Sequence, residues 1–251
     1  MPLSDVQLFA VALFPPTLPS AVRGLASDDD TQRARSLATI SQVYWTPVYK
    51  YLRTRHRQAP ALAEDTVQSF FARIVEGTAL VGHDPQRGRF RSFLRRAVDH
   101  HVIDQHRRRT AARRGGSMPQ IDVGDAEREL ATNPNTEDVF DREWLERVVR
   151  LAVERTLEAL ARRNKPTHAD LFRRFHMTDE APSYDSVAAE LGITTTDVTN
   201  WLHVARREFK RVALELLREL TASPEEFADE ALHAFGIQVE NKGRKDGGDP
   251  A

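Results

Sequence analysis

Apolar side chains recur along this chain at helical spacing, and they do so in separate blocks. Leu37, Ile40, Val43, Tyr44, Val48, Tyr51 and Leu52 form the first stripe, with Pro47 predicting a kink inside it. Asp28-Asp29-Asp30 precedes this stripe and places negative charge where a helix start favours it. Glu64 to Val75 gives a second helix, apolar at Val67, Phe70, Phe71 and Ile74 and polar at Glu64, Asp65 and Gln68. The run Asp84-Pro85-Gln86-Arg87-Gly88 then breaks any helix, and a third starts near Phe90. It keeps Phe90, Phe93, Leu94, Ala97, Val98, Val102 and Ile103 at helical spacing.

The period is lost further on, where Gly115-Gly116, Pro119, Gly124 and Asn133-Pro134 interrupt a stretch with few aromatics. That composition predicts a flexible linker. Helix resumes with Asn135 or Thr136 as N-cap and places Phe140, Trp144, Leu145, Val148, Leu151, Ala152, Leu157 and Leu160 on one face. Ala169 to Phe175 forms a short apolar-faced piece. The pattern therefore predicts an all-α protein of two helical domains joined by a linker.

Between Ser183 and Arg218 the turn chemistry is more specific. Ser183 caps a helix with Val187, Ala188 and Leu191 inward, Gly192 supplies the tight turn, and Ile193 fills the corner. Thr194 caps the next helix, which repeats Val198, Leu202, Ala205, Phe209, Val212 and Leu216. Its other face carries Thr195, Thr196, Thr199, Asn200, His203, Arg206, Arg207 and Lys210. This is the shape of a helix-turn-helix, whose second helix enters the major groove, where amides read adenine and arginines take guanine or phosphate. A plain helical hairpin is the alternative, and turn chemistry and polar face together favour DNA.

Charge sharpens the third helix. Arg89, Arg91, Arg95, Arg96, Arg107, Arg108 and Arg109 crowd a window whose acids are only Asp84, Asp99 and Asp104. Interleaved with Phe90 and Phe93, they suit single-stranded nucleic acid, where bases stack and phosphates pair with arginine. The simpler alternative is a solvated face followed by a basic linker. Over the whole chain the net charge is −1, so any DNA-binding surface must come from segregated charge.

Other classes are narrowed by composition. There is no cysteine, which excludes disulfides and thiolate zinc sites and suits the cytoplasm. Val6 to Phe14 is apolar, but Pro15-Pro16 ends it too early to span a bilayer, and it lacks a basic leader; it reads as a docking segment. Asp99, His100, His101, Asp104 and His106 look like metal ligands, yet one helix can aim only two or three of them at a common ion. No cofactor and no metal are expected. A last short helix begins at Pro224-Glu225-Glu226, with Phe227, Ala231, Leu232 and Phe235 inward and an acidic outer face. The tail from 240 should be disordered.

Two groups of residues together resemble a known family. Phe90-Arg91-Ser92-Phe93-Leu94, with Ile103-Asp104 and Arg107-Arg108-Arg109, resembles the promoter-melting region of sigma factors of the extracytoplasmic-function (ECF) type. Ala63-Glu64-Asp65-Thr66-Val67-Gln68, with Phe71, resembles the helix by which that family grips the polymerase clamp. Tyr44-Trp45-Thr46-Pro47-Val48-Tyr49, Asp84-Pro85, Gly88-Arg89 and Arg113-Arg114-Gly115-Gly116 are most similar to a variant found in planctomycete-like bacteria. Tyr184 to Arg206 resembles the family's promoter-reading domain, with Val204 where relatives carry arginine and Asp197 at the front of the recognition helix. In the melting helix, His100 stands for the usual asparagine and Phe93 for the usual tryptophan.

The resemblance implies a sigma factor that binds core RNA polymerase and promoter DNA, both duplex and melted single strand. It implies no catalysis and no membrane, and an anti-sigma or other regulatory protein is a further candidate partner. The expected divisions are a docking segment at 1–24, a clamp-binding and melting domain at 25–112, and a linker at 113–135. The promoter-recognition domain follows at 136–220, then a C-terminal helix and tail at 221–251. Asp65, Gln68 and Arg73 would meet polymerase. Arg89, Arg91, Arg95, Arg96, His100, Arg107, Arg108 and Arg109 would meet melted DNA, and Thr195, Thr196, Thr199, Asn200, His203, Arg206 and Arg207 the upstream duplex. A stand-alone helix-turn-helix regulator is the runner-up, and a metal-dependent nuclease the third reading.

Overall fold

A computed structural model describes residues 20–77, 80, 83–84, 88–113 and 135–239. Among them the secondary structure is helical throughout, without a strand. The helices are α1 (Ala21–Gly24), α2 (Asp30–Thr54), α3 (Pro60–Val75), α4 (Phe90–Arg113), α5 (Asn135–Arg162), α6 (Pro166–His176), α7 (Tyr184–Leu191), α8 (Thr195–Glu219) and α9 (Pro224–Phe235). The apolar run Val6–Phe14, most of the expected linker and the tail from 240 lie outside the described residues.

Local chemistry sets most helix ends. Asp29 caps α2 by accepting from the Thr31 and Gln32 N–H groups at 2.8 and 3.3 Å. Pro60 opens α3 at a position where no N–H is needed, four residues earlier than the expected start at Glu64. α2 is continuous through Pro47, whose ring is buried.

Two compact units result. The described parts of Pro15–Arg147 and Arg218–Ala251 form one, and Val148–Leu217 the other. The division differs from the expected domains in two respects that matter below: the start of α5, up to Arg147, and α9 both belong with the first unit.

In the first unit, the inward stripes of α2, α3 and α4 meet. Ile40, Val43, Val48 and Leu52 pack with Val67, Phe70, Leu94 and Val98, all 1% exposed or less. Burying side chains of this size stabilises by about 1.5–3 kcal/mol each before entropy is counted. Tyr44 stands edge-on to Phe90 and stacks on Phe140 from the start of α5. In the second unit, Leu171, Val187, Ala188, Val198 and Leu202 form one core, with Ile193 and Trp201 packed against it. Leu160, Ala169, Phe172 and Ala205 form a second.

Candidate nucleic-acid and polymerase interfaces

The α7–α8 turn is built as its residues predict. Ser183 Oγ accepts from the Ser186 N–H at 3.1 Å and starts α7. Gly192 ends it at φ 64°, a left-handed conformation that costs a glycine little. Thr194 and Asp197 then cap each other at the start of α8: the Asp197 N–H donates to Thr194 Oγ1, and the Thr194 N–H donates to Asp197 Oδ2, both at 3.1 Å. The Thr194 hydroxyl and backbone hold the Asp197 carboxyl below its ordinary range. The acid at the front of this helix is thus spent locally on the cap. Thr195, Thr196, Thr199, Asn200, His203, Arg206 and Arg207 are all exposed on the face opposite Val198, Leu202 and Ala205. Arg206 Nε lies 3.0 Å from His176 Nε2 on α6.

Glu208 holds the same helix from inside. It is 5% exposed and takes Arg163 at 2.6 Å and Arg211 at 2.7 Å. Burial works against its charge, and the two guanidiniums more than offset that, leaving its pKa lowered.

On α3 the outward residues Asp65 and Gln68 are exposed, and the Val67–Ile74 stripe beneath them is buried. Trp45 on α2 lies beside this face, 38% exposed and stacked on Phe71 at 5.3 Å. Arg73 points elsewhere. It is half-buried, with Nη1 3.2 Å from His101 Nδ1 and 3.7 Å from Asp104 Oδ2.

The α4 arginines divide into two groups. Arg96, Arg108, Arg109 and His100 are exposed, and Arg95 and Arg107 are half-exposed. Arg91 is 2% exposed, contrary to the expectation that it faces DNA. Its Nε lies 3.1 Å from Glu230 and its Nη2 3.5 Å from Asp141, and its guanidinium sits 4.8 Å over the Trp144 ring. Arg89, half-exposed, is 3.8 Å from the same Glu230. The sequence reading missed Asp141, Trp144, Glu226 and Glu230 as partners of this helix. The outer face of α9 does carry the exposed acids Glu225 and Asp229, but Glu226 and Glu230 are 6% and 2% exposed, and Leu232, expected inward, is 50% exposed. The one signal for the inward turn was spacing: Glu226 and Glu230 are four residues apart and flank Phe227 and Ala231 on one helix face.

The metal-like histidines and acids have structural partners. Asp99 accepts from the Tyr51 hydroxyl at 3.0 Å and lies 2.8 Å from His56 Nε2. His101 sits 2.8 Å from Ser69 Oγ, and burial followed by the Arg73 charge lowers its pKa to about 4. Gln105 Nε2 lies 3.0 Å from the same His101 nitrogen, Nε2, and donates to Ser69 Oγ at 2.6 Å, so His101 belongs to a part-buried network that ties α3 to α4. Among the described residues no group of three or more His, Cys, Asp or Glu could hold a metal ion.

A helix with exposed Asp65 and Gln68, a basic helix and a capped helix-turn-helix occur here in one chain, and the family model for ECF sigma factors matches residues 45–215. The chain belongs to the ECF sigma factor family. No curated protein and no solved structure gives a significant match. The ECF sigma factor family directs promoter-specific transcription initiation with RNA polymerase, as a transcription factor and not as an enzyme. Its members bind core polymerase and promoter DNA. No described helix of this sigma factor is long and apolar enough to cross a membrane.

Proposed function

We propose that this sigma factor divides its work between the two units. The first binds the β′ clamp of core polymerase through Asp65 and Gln68 of α3, and holds the melted strand against the exposed side of α4. Arg96, Arg108, Arg109 and His100 lie on that side, with Arg95 and Arg107 at its margin. The second reads the upstream promoter element in the major groove through Thr195, Thr196, Thr199, Asn200, His203, Arg206 and Arg207. Duplex opening then draws on binding energy rather than covalent chemistry. An anti-sigma protein is a further partner class for the same surfaces.

The observation that carries this reading is the contrast between the inner and outer faces of α8. Every inner residue of its first three turns packs in a core, and every candidate base-reading residue is exposed. Nothing within the unit needs Asn200 or His203 to be polar, whereas base edges do.

Asp65→Arg tests it against a stand-alone regulator. The variant should lose retention on core polymerase and transcription from every cognate promoter, while specific duplex binding by α8 survives. If Asp65→Arg protein regulates normally and core polymerase is never retained by either form, the polymerase half of the proposal is wrong.

A further inference from the structure

The start of α4 is occupied by another part of the same chain. Phe90 opens that helix, and its backbone N–H donates to Glu226 Oε1 of α9 at 2.5 Å, across 136 residues of sequence. The other oxygen, Oε2, accepts from the Ala222 N–H at 2.7 Å. Helix starts carry unpaired N–H groups and partial positive charge, which makes them anion sites. Here a carboxylate fills the site, and one turn further along α9 Glu230 lies against Arg91 and Arg89. The groups covered are a helix amino end and two arginines of the basic window.

This contact is incompletely satisfied. Arg91 Nη1 and Glu230 Oε2 are both buried without a hydrogen-bond partner among the described residues. Burial pushes Glu230 up to about 7, against the opposing pull of Arg91 and Arg89. A buried ion pair of this kind adds little net stability, because desolvation offsets attraction. What holds α9 is also apolar: Phe227 and Ala231 are 5% and 0% exposed, and Arg218 lies 4.7 Å over the Phe227 ring. A contact held mainly by apolar packing, with imperfectly matched polar groups, can be exchanged for a ligand with better-placed anions.

We propose that α9 is an intramolecular strap that competes with a nucleic-acid backbone for the start of α4. Docked, Glu226 sits where a phosphate would sit, and Glu230 holds Arg89 and Arg91. Released, the Phe90 N–H and both guanidiniums face phosphodiester, where charge-assisted contacts form. The inference rests on the DNA-binding role proposed for α4.

The test uses the full chain and the double variant Phe227→Ala/Ala231→Asp, which breaks the docked apolar face and leaves both glutamates in place. The probe is a fluorescein-labelled single-stranded deoxyoligonucleotide carrying a melted promoter element, titrated in the presence of excess core polymerase. The variant adds a negative charge, which alone weakens binding to DNA. Tighter binding, by about tenfold if the strap is docked nine-tenths of the time, therefore reports release. Hydrogen exchange on the unmodified chain gives the second readout, independent of how well the variant folds. The α9 amides should be protected in the free protein and lose protection at saturating oligonucleotide, because a helix of this length freed from its packing frays, whereas the Phe90 amide passes from a carboxylate to a phosphate and stays protected. α9 amides that stay protected at saturation would overturn the strap while leaving the DNA-binding role of α4 standing. If neither form binds the oligonucleotide even with polymerase retained, that role falls and the strap falls with it.

Discussion

α4 and α8 are long helices of almost equal length, each with an apolar stripe and a face rich in arginine, histidine and polar groups. Over the first three turns of α8 the two faces are cleanly divided, and its one buried acid, Glu208, comes only after them. Its inner residues pack, its outer residues are exposed, and its one leading acid is consumed by the Thr194 cap. In α4 they are not. Arg91, Asp99 and His101 are polar residues within a buried surface, each matched by a group from another helix. The lesson is that basic composition does not count binding residues. A helix that is clamped on several sides has to satisfy part of its polar face internally, because a buried charge without a partner is expensive. The first three turns of α8, backed by apolar side chains alone, can leave their polar face to a ligand.

The comparison is broken most directly by truncating one residue of each kind. Arg91→Ala should destabilise the first unit by about 3 kcal/mol, since it strands Glu230 and uncovers the Trp144 ring. Arg206→Ala on α8 should change stability by no more than about 0.5 kcal/mol, as surface substitutions do. Urea unfolding of the two variants measures both, and equal losses would mean that the two polar faces are alike.

Asn200→Ala with His203→Ala should then leave unfolding unchanged but weaken binding to the upstream element by about 1–3 kcal/mol for each base edge no longer read. Competition between cognate and scrambled duplexes measures this. A weakening that is the same for both duplexes would mean that these residues touch phosphate and do not read sequence.

A smaller effect falls on the turn that aims α8. Gly192→Ala places a Cβ in a left-handed conformation, at about 1 kcal/mol. Thermal unfolding of the second unit should shift accordingly, with α4 functions untouched.

The arginines of the basic window give a graded readout. Neutralising Arg96 and Arg108, both exposed, should flatten the salt dependence of binding to melted DNA by roughly 0.7 log units per phosphate neutralised. Neutralising Arg91 should leave that slope unchanged in a chain whose α9 stays docked. An unchanged slope in the first experiment would mean that α4's outer face meets solvent.

The last effect is a pH dependence, and its sign follows from burial. Docking raises the Glu230 pKa to about 7, against the ordinary value of 4.5 that an exposed helix would restore. The docked state therefore binds more protons between those values, so docking is favoured at low pH and weakens as pH rises toward neutrality. Tyr44, Arg89, Arg91, Asp141 and Glu226 face the same carboxyl, and His233 shares its helix. Exchange of the Phe90 amide should consequently speed up from pH 5 to 7 beyond its intrinsic rate, and Glu230→Gln should reduce the excess to what Glu226, also raised by burial, contributes.

Much of this was open to reading from residues alone, for a specific reason in each case. The α7–α8 turn is local chemistry: Ser183, Gly192 and Thr194 each act on neighbours within four residues. The stripes of α2, α3 and α8 follow because helical spacing alone decides which residues share a face. The exposure of Asp65, Gln68, Asn200 and His203 follows from the same spacing, as the complement of those stripes.

The partners across sequence were not open to reading in that way. That Glu226 caps a helix 136 residues before it depends on where α9 docks, and nothing near either residue states it. The same holds for Arg73, which turns from the α3 surface to His101, and for Arg91, which lies beneath Trp144 and Glu230. Periodicity determines that a residue faces inward or outward along its own helix. Whether an arginine then meets solvent, a nucleic acid or a buried carboxylate is a property of the packed whole. Local spacing determined the helices, the turn and the exposed polar face of α8, because those interactions span a few residues. Only the tertiary structure decided which of its charges remain available, because burial and pairing are set by elements far apart in the chain.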